Sequence, residues 1–446
     1  MRLSSPIAVL TVLLTLAVPV CAAATLHPPS QPGVDAPELA RLGPVGVGHR
    51  VLHLVHGQQL NLWAVDAVTG VVPRQDRSLA VDLWYPARVT SALRREVYHG
   101  TLSSEPPLPP AAFTVPGVAV RNAKAILGRY PLVVVSHGYG NDTAAFSWLG
   151  ENLASKGYVV AAIRHVDPEY SDRKHFAWPV LRRPLDIAFV AGALQEQLGA
   201  EGLIDASRTA LFGYSMGGYG VLTGAGATLD AASPMVSVIP GKALTPYARD
   251  GAERDFVRVK HLQAVVAMAP AGGGASNAWG EQGVAEISAP LLLIAGNQDR
   301  TVDYATGARR FFETAVHVPR YLLTYREGGH SIGLAGSPPE MQSRLWNLDW
   351  FEDPVWRKER VVAINLHFIT AFLDLYVKGD ETRRAYLEGL PTDANPGRWP
   401  DKPAAPYDAF SPGSVVGNNP GITLWKGFQD RHAVGLTLEV HAPQSR

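Results

Sequence analysis

Polar and hydrophobic residues alternate early in the chain. Residues 51–56 and 78–85 follow this pattern, which is typical of antiparallel strands with one solvent-exposed face. After these two segments, residues 99–117 carry five prolines and are predicted to form a long surface loop. Residues 28–44, rich in Pro and Gly, are predicted to be a solvated leader into the domain.

From Tyr130 onward, short and nearly continuous apolar runs are separated by helical stretches. This pattern indicates a parallel sheet covered by helices on both faces, and therefore an α/β fold. Pro184 is placed in the first turn of its helix, where proline is tolerated. The predicted strands are 131–135, 158–163, 209–212, 263–268, 290–295 and 320–325, and the predicted helices are 142–155, 182–198 and 359–378.

Two long segments interrupt or follow this alternation. Residues 225–258 show little strand pattern and contain three prolines, so we interpret them as an insertion near the mouth of the site and as a candidate lid. The tail is a Pro-rich C-terminal extension, residues 391–446, with a predicted strand at 434–440. We predict a single catalytic domain over residues 25–446.

The N-terminus has the pattern of a secretory signal peptide. A charged start is followed by an apolar run at residues 7–18 and by small residues at 21–24. We predict that residues 1–24 are removed and that the protein is secreted or periplasmic. A membrane anchor is less favoured because the run is shorter than the about 20 residues that span a bilayer. Lipid attachment at Cys21 is a minor alternative, since Val20 is bulkier than such sites prefer.

Composition narrows the function classes. The 446 residues include 40 Lys plus Arg and 40 Asp plus Glu, so a formal net charge of zero gives no electrostatic reason to expect a nucleic-acid partner. Cys21 is the only cysteine and lies in the predicted signal peptide. The mature chain would therefore have no disulfide, no thiolate metal site and no cysteine nucleophile, and its core must stabilise it.

The stretch 211–220 is predicted to be a nucleophile elbow. Ser215 stands between Gly213 and Gly217, after a predicted strand and before a helical pattern. A serine on this turn is strained, and the glycines are needed because a β-carbon would collide with the neighbouring strand or helix. The motif alone is weak in a chain with 43 glycines, and the alternative is a glycine-rich packing turn. The strand–turn–helix context favours a catalytic serine.

A serine nucleophile needs a histidine to take its proton and a carboxylate to orient that histidine. Asp299 follows the strand predicted at 290–295, and His330 follows the next predicted strand in a glycine-rich turn. We predict Asp299 as the acid and His330 as the general base, in the order that this kind of sheet requires. Asp303 is the competing carboxylate, and a salt bridge with Arg300 or a turn-capping role is the structural alternative for Asp299.

The oxyanion of an ester's tetrahedral intermediate needs two backbone N–H donors. We predict the amide of Met216, which begins the helix after the nucleophile and faces the charge with a free N–H group. The second predicted donor is the amide of Tyr139, in the loop 136–140 that follows an apolar strand. His137 in the same loop is interpreted as structural rather than as the catalytic base.

One more group of acidic and histidine residues requires an interpretation. Its irregular spacing on a predicted loop favours a solvated rim or a wall of the acyl pocket over a metal site. The predicted chemistry needs no metal and no cofactor. The residues of this group are His165, Asp167, Glu169, Asp172 and His175.

Together these motifs resemble the α/β-hydrolase superfamily, and more narrowly the secreted bacterial dienelactone-hydrolase-like and platelet-activating-factor-acetylhydrolase-like serine esterases. The resemblance covers about residues 45–380 and implies a mostly parallel, eight-stranded sheet with helices on both faces. The elbow together with Tyr139 is also similar to bacterial cutinases and polyester hydrolases. True dienelactone hydrolases use a cysteine nucleophile, so the lactone substrate is not carried over. The stretches that carry the resemblance are 81–87, 136–140, 183–186 and 213–217.

We therefore predict a secreted serine hydrolase that cleaves carboxylic esters through an acyl-enzyme. Its predicted partner is a small-molecule or lipid ester, with no nucleic acid and no integral membrane segment in the mature chain. A phospholipid acetyl-hydrolase or lipase and a cutinase-like polyester hydrolase are open alternatives. A non-catalytic binding protein with a hydrolase fold is the alternative from another class.

Overall fold

The computed structural model describes residues 27–90, 92–104, 107–170, 172, 175–397, 410–413 and 423–445. The predicted signal peptide and Cys21 lie outside these residues, as does part of the C-terminal extension. Within the described part of the chain, no helix is both long enough and apolar enough to cross a membrane.

The described residues form one mixed sheet of eleven strands. The strands are β1 Val47–Leu60, β2 Arg74–Pro86, β3 Arg95–Leu102, β4 Ala111–Arg121, β5 Tyr130–Ser136, β6 Val159–Arg164, β7 Ile204–Tyr214, β8 Leu262–Met268, β9 Leu291–Gly296, β10 Arg320–Tyr325 and β11 Leu436–His441. Their order in the sheet is β11-β10-β9-β8-β7-β5-β6-β2-β1-β4-β3. Strands β5 to β10 pair in parallel, whereas the β1–β2, β2–β6, β3–β4 and β10–β11 pairs are antiparallel.

Helices cover both faces of the sheet, which confirms the predicted α/β class. The helices are α1 Ser147–Ser155, α2 Ala177–Ala200, α3 Met216–Gly224, α4 Pro234–Ser237, α5 Arg310–Thr314, α6 Leu345–Phe351 and α7 Lys358–Tyr376. Alternate residues of a strand point to opposite faces, so Phe212 packs with α1 and α7 while Leu211 packs with α2 and α3. The expectation of eight strands is wrong, because two antiparallel hairpins at one edge and β11 at the other extend the parallel centre.

The prediction of a surface loop at residues 99–117 is wrong. This segment contains the end of β3 and the start of β4, which pair as an antiparallel hairpin. Pro107, Pro109 and Pro110 fall in the connection between the strands, and Pro116 pairs with Val97 beside a register shift. Successive β3 residues alternate between exposed and buried, so the period-two burial of the hairpin outweighs the local proline signal.

Pro184 lies inside α2 rather than in its first turn, because the helix begins seven residues earlier, at Ala177. A proline has no N–H, so it leaves the carbonyl four residues before it without its helical donor. That carbonyl belongs to Val180 and accepts the buried Tyr219 hydroxyl at 3.0 Å. A tertiary hydrogen bond from α3 therefore replaces the one that proline removes.

The leader at residues 28–44 packs against the domain through part of its length, although residues such as Val34 are exposed. Ser30 and Ala40 are fully buried. The Asn152 side chain on α1 donates to both of their carbonyls, at 3.1 and 2.9 Å. The expectation was wrong because Pro- and Gly-rich composition reports backbone conformation and not whether another element covers the segment.

Residues 225–258 contain α4 and several short 3₁₀ turns. They pack on the face of the sheet that α2 and α3 cover, and Leu244 is fully buried there. Arg249 from this segment pairs with Glu286. The segment is thus an integral layer of the domain, and its movement as a lid stays a prediction. The C-terminal extension returns to the sheet as β11, antiparallel to β10.

Candidate active site

Ser215 occupies the sharp turn between β7 and α3. Its backbone angles are φ 55° and ψ −116°, a conformation that costs a non-glycine residue about 1–3 kcal/mol. A β-carbon at Gly213 would lie 2.3 Å from the Gly217 carbonyl oxygen, and one at Gly217 would lie 1.9 Å from that of Ser136. Both flanking positions therefore exclude any side chain, and the close packing holds the serine in its strained conformation.

The structure brings the three predicted side chains into one hydrogen-bonded chain. His330 Nε2 lies 3.0 Å from Ser215 Oγ, and His330 Nδ1 lies 2.7 Å from Asp299 Oδ2. Asp299 is buried just past the end of β9, and its other oxygen accepts the amides of Thr301 and Val302 at 2.9 and 3.2 Å. With a proton on Nδ1, Nε2 can accept the serine proton.

Side chains that the sequence analysis did not select anchor the histidine loop. The Tyr214 hydroxyl donates to the His330 carbonyl at 3.0 Å, and Asp353 accepts the preceding amide at 2.8 Å. Buried Lys358 donates to the carbonyl of Ser331, the residue after His330. Burial lowers the pKa of Lys358 to about 7. Tyr214 lies in the elbow stretch, but nothing in the sequence indicates that it, Asp353 or Lys358 contacts this loop, because each reaches it from a part of the chain 24 or more residues away.

Asp303, the competing carboxylate, is part of a separate turn. It lies at φ 59°, is exposed, and accepts the amide and hydroxyl of Thr306 at 2.8 and 3.0 Å. These are the contacts of a local turn cap. Asp299 is the carboxylate that contacts His330.

The loop 136–140 follows β5, at the carboxyl end of the parallel strands, where Ser215 and His330 also lie. His137 is fully buried, with Nδ1 2.7 Å from the Gly138 carbonyl and Nε2 accepting the His165 amide at 3.1 Å. Burial, together with the nearby Arg183 charge, holds the pKa of His137 well below its usual range. These contacts agree with a structural role for His137. The Met216 amide belongs to the first turn of α3, whose N–H groups have no partner within the helix.

The acidic and histidine group at residues 165–175 is not a uniform solvated rim. Asp172 and His175 form a surface pair at 2.6 Å, but His165 is buried and so is the side chain of Asp167. His165 lies 2.9 Å from the Ser136 hydroxyl through Nε2. The rim interpretation is therefore wrong for two of the five residues, His165 and Asp167, because their side chains turn inward beneath the loop 136–140. Among the residues that the structure describes, no three His, Cys, Asp or Glu side chains are placed to hold a metal ion.

Aromatic side chains line one side of the loop 136–140. The Tyr139 ring lies 5.4 Å from that of Phe176 and 5.9 Å from that of Tyr170. Tyr170 in turn lies 5.6 Å from Trp346 and 6.0 Å from Trp350, both on α6. We call these five residues the aromatic rim. The two tryptophans were not among the predicted site residues, although their four-residue spacing on a helix places them on one face.

Comparison with known proteins finds relatives in the central part of the chain. Residues 119–244 match the protein-family model described as PETase: PET hydrolase-like. The cutinase est1 of Thermobifida alba is 32% identical over 128 residues, which are 28% of this chain and 38% of that protein. The platelet-activating factor acetylhydrolase of Bos taurus is 42% identical over 48 residues, 11% of each chain. The resemblance to α/β-hydrolase serine esterases is confirmed.

The matched region contains only part of the site. It includes Tyr139, Ser215 and Met216, but Asp299 and His330 lie beyond it. A longer alignment, with cutinase 1 of Thermobifida cellulosilytica, covers 42% of this chain and 54% of that protein at 26% identity. The chain thus spans at most about half the length of these cutinases. A solved ferulic acid esterase from Streptomyces cinnamoneus superposes over 77% of this chain and 94% of its own, with a TM-score of 0.49 and 21% identity.

Proposed function

We propose that this protein is a secreted serine esterase that hydrolyses carboxylic esters through an acyl-enzyme. The observation that carries the proposal is the hydrogen-bonded chain from Ser215 through His330 to Asp299, with the serine held in a strained turn. The names of the relatives support the same class, since they are cutinases and acetylhydrolases.

In the first half of the reaction, Ser215 Oγ attacks the acyl carbon while His330 Nε2 takes its proton. Asp299 keeps the imidazole in the required tautomer and stabilises its positive charge. The carbonyl oxygen becomes an oxyanion that the amides of Tyr139 and Met216 bind. The carbon–oxygen bond to the alcohol then breaks, and the alcohol leaves with the proton from His330.

In the second half, a water molecule attacks the acyl-enzyme and gives its proton to the same histidine nitrogen. The second oxyanion uses the same two amides. Its collapse releases the carboxylic acid and returns the proton to Ser215. Atoms and charges balance with water as the only co-reactant, so this cycle requires no cofactor.

The proposal is tested with Ser215→Ala and p-nitrophenyl butyrate as substrate. Turnover should fall by roughly 10⁴-fold or more while the unfolding transition persists. Ser207→Ala, at a surface serine that bonds Asp205, is the matched control and should keep full activity. Undiminished turnover in Ser215→Ala would contradict the proposal. A fluorophosphonate should label Ser215 in the folded wild-type protein, and absence of that adduct would favour the non-catalytic binding protein.

The aromatic rim favours a cutinase-like polyester hydrolase over a phospholipid acetyl-hydrolase or lipase. Tyr170 and Phe176 are 39% and 43% exposed, so a broad apolar surface lies beside the proposed oxyanion loop. Flat repeating units of a polyester can pack on such rings. The test compares release of soluble acid from a polyester film with hydrolysis of a short-acyl phospholipid. Faster phospholipid hydrolysis, unaffected by Trp350→Ala, would favour the alternative.

Secretion is part of the same proposal and depends on the segment before residue 27. Expression of the full chain in a bacterial host, followed by N-terminal sequencing of the exported protein, should give a start near residues 23–25. An intact Met1 on protein retained in the cytoplasm would contradict it.

A further inference from the structure

The peptide unit that carries the Tyr139 amide is held by side chains beneath it. Its carbonyl, that of Gly138, accepts Arg183 Nη2 at 3.2 Å and lies 2.7 Å from His137 Nδ1. A trans peptide is planar, with C=O and N–H pointing in opposite directions. Fixing the carbonyl on the inner side therefore fixes the direction of the Tyr139 N–H on the other.

The proton of His137 is assigned by its second contact. The His165 amide donates to His137 Nε2 at 3.1 Å, so Nε2 is an acceptor and carries no hydrogen. Nδ1 must then bear the proton in the neutral ring and donates it to Gly138. The carbonyl thus receives two donors, one from the loop itself and one from α2.

The next peptide unit, between Tyr139 and Gly140, is held by an ion pair that includes the same arginine, Arg183. The Gly140 amide donates to Asp167 Oδ2 at 3.1 Å, and this oxygen also accepts Arg183 Nη2 at 2.5 Å. Both peptide units that flank the Cα atom of Tyr139 are therefore tied to one arginine–aspartate pair. Arg183 comes from α2 and Asp167 from the segment after β6, so two separate elements set the backbone of the loop.

This pair is poorly explained as a device for stability. Both side chains are buried, and within the described part of the chain the Nε and Nη1 donors of Arg183 have no partner. Burial lowers the pKa of Arg183 and raises that of Asp167, so desolvation opposes the charge on each partner. Replacing such a pair with apolar residues is often neutral or stabilising.

We propose that Arg183 and Asp167 are positioning residues that orient the Tyr139 amide as an oxyanion donor. The inference rests on the proposed function, because it assigns the two residues to the oxyanion hole of that reaction. Neither side chain touches the reacting atoms. Their effect passes through the backbone of the loop 138–140.

The test uses Arg183→Met, Asp167→Asn and the double variant. For p-nitrophenyl butyrate, kcat should fall about 10- to 100-fold with little change in KM, somewhat less than the loss of a whole oxyanion donor. The kcat of the double variant should be no lower than that of the less active single variant, because the two residues act as one unit. An alkyl trifluoromethyl ketone, whose adduct carries an oxyanion, should bind more weakly by a similar factor.

Arg320→Met is the matched control. Its guanidinium is also buried and donates to backbone carbonyls, those of Phe312 and Ala442 at 2.7 and 3.1 Å, but it lies at the opposite end of the sheet, where β10 begins. This variant should lose stability while kcat and the inhibition constant of the ketone stay unchanged. Asp167→Asn keeps the size of its side chain and carries the test if Arg183→Met does not fold.

The inference is overturned if folded Arg183 or Asp167 variants keep wild-type kcat and ketone binding. It is also overturned if their losses simply follow stability, as measured against the control. Failure of the proposed function looks different, since the wild-type protein would then neither hydrolyse esters nor take up a fluorophosphonate at Ser215. An active wild type with an inactive Ser215→Ala and normal Arg183 variants would remove only the inference.

Discussion

Two glycine-rich loops, each carrying a histidine, lie at the same edge of the sheet. One is the loop 136–140 after β5, and the other is the turn 328–331 after β10. The His330 side chain is 19% exposed and has a carboxylate and a serine as partners. His137 is buried, and both of its nitrogens contact backbone groups. A ring of the first kind can exchange a proton with a reacting group, whereas one of the second kind can only hold the backbone.

The largest contrast between the loops is expected from His330→Ala. Removing the general base should lower kcat by roughly 10⁴-fold or more, since the oxyanion amides alone preserve little catalysis. The free energy of unfolding should change little, because the side chain is partly exposed. Hydrolysis of p-nitrophenyl butyrate and urea unfolding measure the two quantities. Retained turnover would remove His330 from the role of base.

The next largest effect tests why His330 holds its tautomer. Asp299→Asn should lower kcat by about 10⁴-fold, because an amide at this position no longer requires the proton to be on Nδ1. The matched variant Asp303→Asn should keep wild-type turnover, since Asp303 bonds only its own turn. Equal losses in the two variants would contradict the assignment of the acid.

The distinction between the two loops would be wrong if His137 were needed for catalysis in the way proposed for His330. We expect His137→Leu to destabilise the fold by about 1–3 kcal/mol, because the buried His165 amide loses its acceptor. Its kcat should fall far less than that of His330→Ala, since Arg183 still binds the Gly138 carbonyl. Urea unfolding and kcat are compared in the two variants. Loss of turnover without loss of stability in His137→Leu would reverse the roles of the two loops.

The smallest effect expected is a pH dependence of stability beneath the loop 136–140. Burial, with the charge of Arg183, lowers the pKa of His165 to about 3. Below about pH 6.5 the unfolded chain binds a proton at this histidine but the folded chain does not, so the free energy of unfolding falls as the pH drops from about 6.5 toward 3. His165→Gln should fall less steeply over that range in urea titrations. Identical slopes would exclude His165 as a contributor.

A separate contribution, confined to lower pH, should come from Asp186, whose Oδ2 lies 3.2 Å from His165 Nδ1. Asp186 accepts Arg77 at 3.2 and 2.9 Å. Although burial acts to raise it, the Arg77 charge and the His165 hydrogen bond hold the pKa of Asp186 well below its ordinary value of 3.8. The stability that this carboxylate contributes is present above about pH 4 and is lost only as the pH falls toward the lower folded value.

Much of the scaffold follows from local pattern. The six strands predicted in the parallel centre are all present, because buried parallel strands appear in sequence as short continuous apolar runs. The elbow is also a local feature, since it needs two glycines and a strand–turn–helix context within ten residues. The hairpin of β3 and β4 was not predicted because its prolines suggested a loop. The alternation of exposed and buried residues in β3 arises only when the strand pairs with β4 and one of its faces is covered.

The order of Ser215, Asp299 and His330 along the chain, each just after an apolar strand, makes them candidates, because parallel strands bring their carboxyl ends together. Which carboxylate contacts the histidine, and which of two glycine-flanked histidines faces the serine, depends on distances between residues far apart in sequence. The same holds for the Arg183–Asp167 pair and for the aromatic rim. Burial and partner geometry are properties of the packed chain, and they separate the two histidine loops that look alike in sequence.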